Sequence, residues 1–306
     1  MAAITAAMVK ELREMTDAGM MECKKALVEA EGDLDAAVDV LRTRGLAAVA
    51  KKAGRATNEG TVMALVSEDG KTGALVELNC ETDFVGMNEK FKAYAEKLGR
   101  AALAANAADV EALKAASYES ESVEDILTDA IHVLGENIQL PRATTVAAGG
   151  VATYIHGGGT HGVMVLFDTD VAGKEGFAAY GKDVAMQIAA ANPGYLCEAE
   201  VPVSVIEKEK EILLAQISND PKLAGKPEPV KVKMVEGKIG KFYKENCLLD
   251  QAYVKEPDIS VSKYVENTAK ELGADIEIVK FVRFEKGEGL EKRADDFAAE
   301  VASMMK

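Results

Sequence analysis

The chain has 306 residues, 48% of them hydrophobic and 28% charged, a balance that builds a substantial core and leaves room for two or three domains. Its formal net charge of −15 argues against general nucleic-acid binding, which depends on neutralising phosphates. No apolar run approaches the ~18 residues of a membrane span, and the start, MAAITAAMVKELREM, is too charged for a secretory signal.

Three short helices come first. Val9, Leu12 and Met15 share one face of the first, with Thr5 as its cap. The second runs from about Met21 to Ala30 and stops at Gly32. In the third, Leu34, Ala37, Val38 and Leu41 follow the i, i+3, i+4, i+7 spacing behind Asp33, a natural N-cap. Helices this short must bury their stripes against one another, so residues 1–55 read as a small helical domain. LAAVAKKAGR leads out of it as a linker helix. The basic clusters Lys24-Lys25 and Lys51-Lys52 with Arg55 are either solvated faces or docking points for an acidic partner.

From Gly60 the period changes. TVMALVS and GALVELNC flank EDGKT, whose Asp69-Gly70 step predicts a β-hairpin. A helix with Phe91, Tyr94, Leu98 and Ala102 on one side follows. A further helical region ends at IHVLGENI, where Gly135 suits a C-terminal cap. The plan then recurs: GGVATYIHGGGTHGVMVLFDTD and its following helix repeat hairpin-then-helix. Thr82-Asp83 returns as Thr169-Asp170, and Phe91 and Tyr94 as Phe177 and Tyr180. This predicts a duplicated α+β unit with antiparallel sheets, the first copy over 56–145 and the second over 146–198 and 247–286.

Residues 199–246 interrupt the second copy. Ser204 and Glu207 have the spacing of a capping box, opening a helix with Val205, Ile206, Ile212, Leu213 and Ile217. Asn219-Asp220-Pro221 ends it, and Pro229 starts a second helix carrying Met234, Val235, Ile239 and Phe242. Together they predict an antiparallel helical hairpin, packed as ordinary core or protruding as a surface for homodimer formation. A strand, ADIEIVKFVRF, follows, and a helix near Leu290–Met305 closes the chain as a C-terminal module over 287–306.

Chemical motifs are scarce. The run Gly157–Gly162 matches GxGxxG, but it lies between two strands with no helix N-terminus to receive a pyrophosphate, so it reads as a turn. Of the three histidines, His132, His156 and His161, the last two flank a glycine turn with no carboxylate or cysteine at ligand spacing, and Cys23, Cys80, Cys197 and Cys247 form no CxxC pair. Unpaired thiols fit a reducing cytoplasm. Neither an enzyme nor a metal or cofactor site is predicted.

One stretch resists the periodic reading. In NCETDFVGMNEKF, Phe84 and Val85 fall between a strand and a helix. Where the first copy has Asp83-Phe84-Val85, the second has Asp170-Val171-Ala172. Phe84 either fills core space peculiar to its copy or is displayed for a partner. Burying a phenylalanine contributes ~1.5–3 kcal/mol, the scale of an interface hot spot.

On VKELREMTDAGMMECKKAL, NCETDFV, LGENI, YIHG, VRFEKGEGLEK and DFAAEVA, spread over nearly the whole chain, the sequence closely resembles the bacterial elongation factor Ts family. The resemblance implies an N-terminal three-helix domain like ubiquitin-associated domains, a duplicated core, a protruding hairpin and a C-terminal helix. It implies a nucleotide-exchange factor that binds elongation factor Tu, GDP-bound and nucleotide-free, and holds no cofactor. By matching positions, Asp83 and Phe84, flanked by Thr82 and Val85, would press into the partner's GTPase domain near its magnesium. Leu134 and Gly135 would touch the same domain, His156 and Val254 the third domain, and Lys24 and Lys51 would serve the N-terminal contact. A second reading is a helical adaptor that binds only through the N-terminal three-helix domain.

Overall fold

The computed structural model describes residues 4–16 and 18–290; the C-terminal helix expected near Leu290–Met305 lies outside them beyond its first residue. The fold is α+β. Helices α1 (Ala6–Thr16), α2 (Met20–Glu29) and α3 (Leu34–Lys52) close on a small core of Leu12, Cys23, Ala26, Leu27, Ala37 and Leu41. Thr5 and Asp33 cap α1 and α3 as expected, accepting from the amides of Met8 and Ala36. The linker helix is not separate: α3 runs unbroken for 19 residues through Gly45 and the basic stretch. Helix propagation costs less than starting anew, and Gly45 lets α3 lie close to Thr128 of the neighbouring helix. Arg42 pairs with Asp125 at 2.7 Å and Lys52 donates to the Ile131 carbonyl at 3.1 Å, joining this unit to the next.

The first copy follows: β1 (Glu59–Val66), β2 (Thr72–Cys80), one-turn α4 (Asp83–Gly86), α5 (Glu89–Ala105), α6 (Val110–Lys114), the small ladder β3 (Ser117–Tyr118) and β4 (Glu121–Ser122), α7 (Val123–Leu134), and β5 (Gln139–Ala147). The second comprises β6 (Gly150–His156), β7 (His161–Asp168), α8 (Phe177–Ala191), α9 (Val203–Asn219), α10 (Glu228–Asn246), β8 (Ala252–Tyr253), β9 (Glu256–Ser260), α11 (Val261–Leu272) and β10 (Glu277–Glu285). Each copy holds a three-stranded antiparallel sheet of the same plan, β1-β2-β5 and β10-β7-β6. The glycine run between β6 and β7 is the expected hairpin turn, with Gly157, Gly158 and Gly159 all at positive φ.

Strand alternation divides the core into layers. In β2, Ala74, Val76, Leu78 and Cys80 face α5 and α7, while Leu75 faces the other sheet. In β7, Val163, Val165 and Phe167 face α8, while Met164 and Leu166 turn toward Leu75 and Val62. The two sheets thus pack face to face between two outer helical layers. A polar strap fastens them at one end. Glu77, 1% exposed, accepts from Arg142 at 2.6 Å and from the Gly287 amide at 2.7 Å. Arg142 also reaches Glu288 and the Glu285 carbonyl, with its guanidinium 4.4 Å from the Phe284 ring centre.

The excursion is an antiparallel hairpin of α9 and α10 with its own apolar core of Leu213, Ile217, Val235 and Ile239. Its starts differ from expectation. Helix α9 begins at Val203 behind Pro202 with no side-chain cap, so Ser204 lies inside the first turn and the Ser204–Glu207 capping box does not form. Helix α10 begins at Glu228, leaving Pro229 within its first turn, where the missing N–H costs nothing. Among the described residues, no helix is long and apolar enough to cross a membrane.

Candidate partner-binding site

The joint after β2 is a single helical turn. Thr82, in extended conformation, caps it by accepting the Val85 amide at 3.3 Å. The turn sorts its side chains sharply: Val85 packs on the first-copy core, while Phe84 points out, 84% exposed. Met87, three residues on, is exposed as well. The turn sits low on the sheet because two glycines meet beneath it. A Cβ on Gly86 would touch the Gly60 backbone at 3.4 Å, and Gly60, at φ +146°, has a left-handed conformation and no room beside the Leu78 carbonyl. Phe84 therefore stands on a rigid base and is not core filler.

Two sequence motifs converge here. Helix α7 ends at Leu134, half-buried against the core, and Gly135 closes it in the left-handed region at φ 78°. The next residue, Glu136, reaches back to the elbow. One carboxylate oxygen accepts the amides of Glu81 and Thr82 at 2.9 and 3.0 Å, and the other accepts the Thr82 hydroxyl at 2.6 Å. Glu81 returns the contact, accepting the Asn137 amide at 2.6 Å, and pairs with Arg55 at 3.3 Å. The Asn137 side chain donates to the Arg55 carbonyl at 2.8 Å. Carboxylates accepting backbone amides form strong, charge-assisted bonds. Glu81 and Thr82, at the base of the one-turn helix, are thereby tied to Glu136 and Asn137, which directly follow Leu134 and Gly135.

Beneath the elbow, Cys80 donates to the Thr82 carbonyl at 3.2 Å. Burial, with Glu136 and Glu59 nearby, pushes this thiol up to about 12. It is a packed group and no nucleophile.

The remaining predicted residues stand on other elements. His156 is exposed at the end of β6, with Nδ1 3.1 Å from the Tyr154 hydroxyl. Val254 is exposed in the β8–β9 turn, which Gln187 of α8 holds through the Val254 amide at 2.7 Å. Lys255 beside it is committed to Asp183 at 2.5 Å. Lys24 and Lys51 are exposed on α2 and in the last turn of α3. Glu81, Glu136 and Met87 join the site only in the folded chain. One signal was available: Leu134-Gly135-Glu136-Asn137-Ile138 returns as Leu272-Gly273-Ala274-Asp275-Ile276, marking the cap that meets the elbow in each copy.

Comparison with known proteins matches residues 81–288 to the family model described as Elongation factor TS. A protein named elongation factor Ts from Clostridium perfringens (strain SM101 / Type A) is 52% identical over 304 residues, spanning 98% of this chain and 99% of the relative. Its namesake from Clostridium acetobutylicum is 51% identical over 306 residues, spanning 99% and 98%. Clostridium botulinum (strain ATCC 19397 / Type A) supplies a third at 50% over 307 residues. With identity at this level from end to end, the chain belongs to the elongation factor Ts family of translation elongation factors.

Proposed function

We propose that this protein binds elongation factor Tu carrying GDP and promotes GDP release, so that GTP can load. The observation that carries the reading is Phe84, a large apolar side chain held in solvent on a braced one-turn helix. Exposing a phenylalanine this fully wastes its burial unless a partner completes it. The wedge acts by linkage. A factor that weakens GDP binding must itself bind the nucleotide-free partner more tightly by the same ratio, through contacts that the GDP form does not offer. Phe84 and Asp83 enter the GTPase domain beside its magnesium and phosphate site, with Leu134 and Gly135 on the same domain. His156 and Val254 hold the third domain, and Lys24 and Lys51 secure the N-terminal contact. The guanine nucleotide and its magnesium sit in the partner, so this chain carries no cofactor, catalyses no bond change and works in the cytoplasm on a protein surface.

The test is stopped-flow release of a fluorescent GDP analogue from elongation factor Tu. Phe84→Ala is expected to slow factor-stimulated release at least about tenfold, the effect of ~1.4 kcal/mol, with the thermal transition intact. Release at the wild-type rate would sink the wedge. A helical adaptor predicts the reverse pattern: Phe84→Ala silent, and partner binding lost in the double variant Lys24→Ala/Lys51→Ala.

A further inference from the structure

The elbow that displays Phe84 is clasped in a way that its twin is not. In the second copy Thr169 stands for Thr82, Val171 for Phe84, and Leu272–Ile276 for Leu134–Ile138. The corner is built alike: Gly273 caps α11 at φ 60° as Gly135 caps α7 at φ 78°, and Ile276 is buried as Ile138 is. At the position of Glu136, however, stands Ala274. The Thr169 hydroxyl donates to the Asp275 carbonyl at 3.0 Å instead, and an open cleft lined by Asp168, Thr169, Asp170, Gly273, Ala274 and Asp275 lies between elbow and cap. The fold therefore builds this corner without a carboxylate at the position of Glu136. Glu136 occurs only in the copy whose elbow presents an aromatic residue.

We infer that Glu136, with Glu81 as its reciprocal partner, is a positioning residue for Phe84, an assignment that rests on Phe84 acting as the wedge. A single helical turn is not stable by itself, because its few bonds do not repay the ordering of its backbone. Three bonds from one carboxylate to Glu81 and Thr82 set the turn before docking. Ordering completed beforehand is not charged to the step that pries the partner open. The carboxylate itself faces its own chain, so its effect reaches the partner through Phe84.

The experiment compares Glu136→Ala, Glu136→Gln, Phe84→Ala and the double variant Phe84→Ala/Glu136→Ala in full-length protein. The readout is the rate of release of the fluorescent GDP analogue from elongation factor Tu over a range of factor concentrations. Glu136→Ala is expected to lower the saturating rate about tenfold and to shift the half-saturating concentration far less, since Lys24, Lys51, His156 and Val254 are untouched. Glu136→Gln, whose amide oxygen still accepts both N–H groups, is expected to recover most of the rate. In the Phe84→Ala background, Glu136→Ala is expected to add less than about twofold, because residues that act as one unit are not additive.

Equal slowing in both backgrounds would overturn the assignment, as would a wild-type rate for Glu136→Ala while Phe84→Ala is slow. A Glu136→Gln rate as low as that of Glu136→Ala would also overturn it, since charge and not the clasp would then matter. A fast Phe84→Ala would instead remove the wedge itself. Should Glu136→Ala fail to fold, Thr82→Ala against Thr82→Ser makes the same comparison, with the serine hydroxyl restoring the bond.

Discussion

Phe84 and Val171 occupy the same place in two copies of one fold, and their surroundings are opposite: Phe84 is 84% exposed, Val171 3%. Both follow a Thr-Asp step at the end of a central strand. In the first copy the chain then coils into α4 and lifts the side chain outward. In the second no helix intervenes before α8, and Val171 drops onto a core that includes Phe167 and Phe177. The duplication supplies its own control for what the scaffold requires here.

The two residues should respond oppositely to truncation. Val171→Ala is expected to cost about 1–3 kcal/mol in urea unfolding, through lost burial and a small cavity. Phe84→Ala is expected to stay within about 0.5 kcal/mol of the parent, as an exposed site does. A stability loss for Phe84→Ala matching that of Val171→Ala would mean that Phe84 packs within its own chain in solution.

A second test concerns the strap between the sheets. Arg142→Met leaves the Glu77 carboxylate buried without its ion partner, which is expected to destabilise the protein by about 3–5 kcal/mol. The double replacement Glu77→Leu/Arg142→Met is expected to regain more than half of that loss, because no uncompensated charge is left inside. Thermal melts of the three proteins at one pH suffice. A double variant as weak as the single one would show that the strap's other bonds, to Glu285, Gly287 and Glu288, matter more than the pair.

Cys80 offers a chemical probe of the elbow. Burial pushes its thiol up to about 12, so the reactive thiolate is scarce at pH 8, and the atom is also covered. Of the four cysteines, Cys197 alone is not fully buried, so it should be labelled first by a thiol reagent, as peptide mass mapping would record. Cys80 should label only as α4 lifts away, and faster in Glu136→Ala. Rapid Cys80 labelling in the parent protein would mean that the elbow opens readily without its clasp being cut.

Periodicity discloses the three N-terminal helices, both β-hairpins and the paired helices α9 and α10, because each has an apolar stripe or a glycine turn, although Met15 and Ile212, placed on those stripes by spacing, are exposed outside the buried faces of their helices. Strand β5 was hidden: Pro141 and the consecutive threonines Thr144 and Thr145 break the alternation, which an edge strand tolerates because only one side is paired. Helix α11 was hidden by its polar run, although Val261, Val265 and Leu272 hold the right spacing. At the candidate site, the resemblance marked Phe84 and Gly135, but nothing local marks Glu136. Its partners, Glu81 and Thr82, lie on a distant segment, and a glutamate beside a helix end is ordinary in composition. Only folding brings acceptor and amides together.

Helix α3 carries a geometric consequence. It belongs at once to the N-terminal cluster and, through Arg42, Gly45 and Lys52, to α7. The Lys24-bearing unit is thus mounted on a stiff boom without slack, and its bearing is written in the residue count. One residue added midway would swing everything upstream by about 100°, aiming the same lysines at a different horizon.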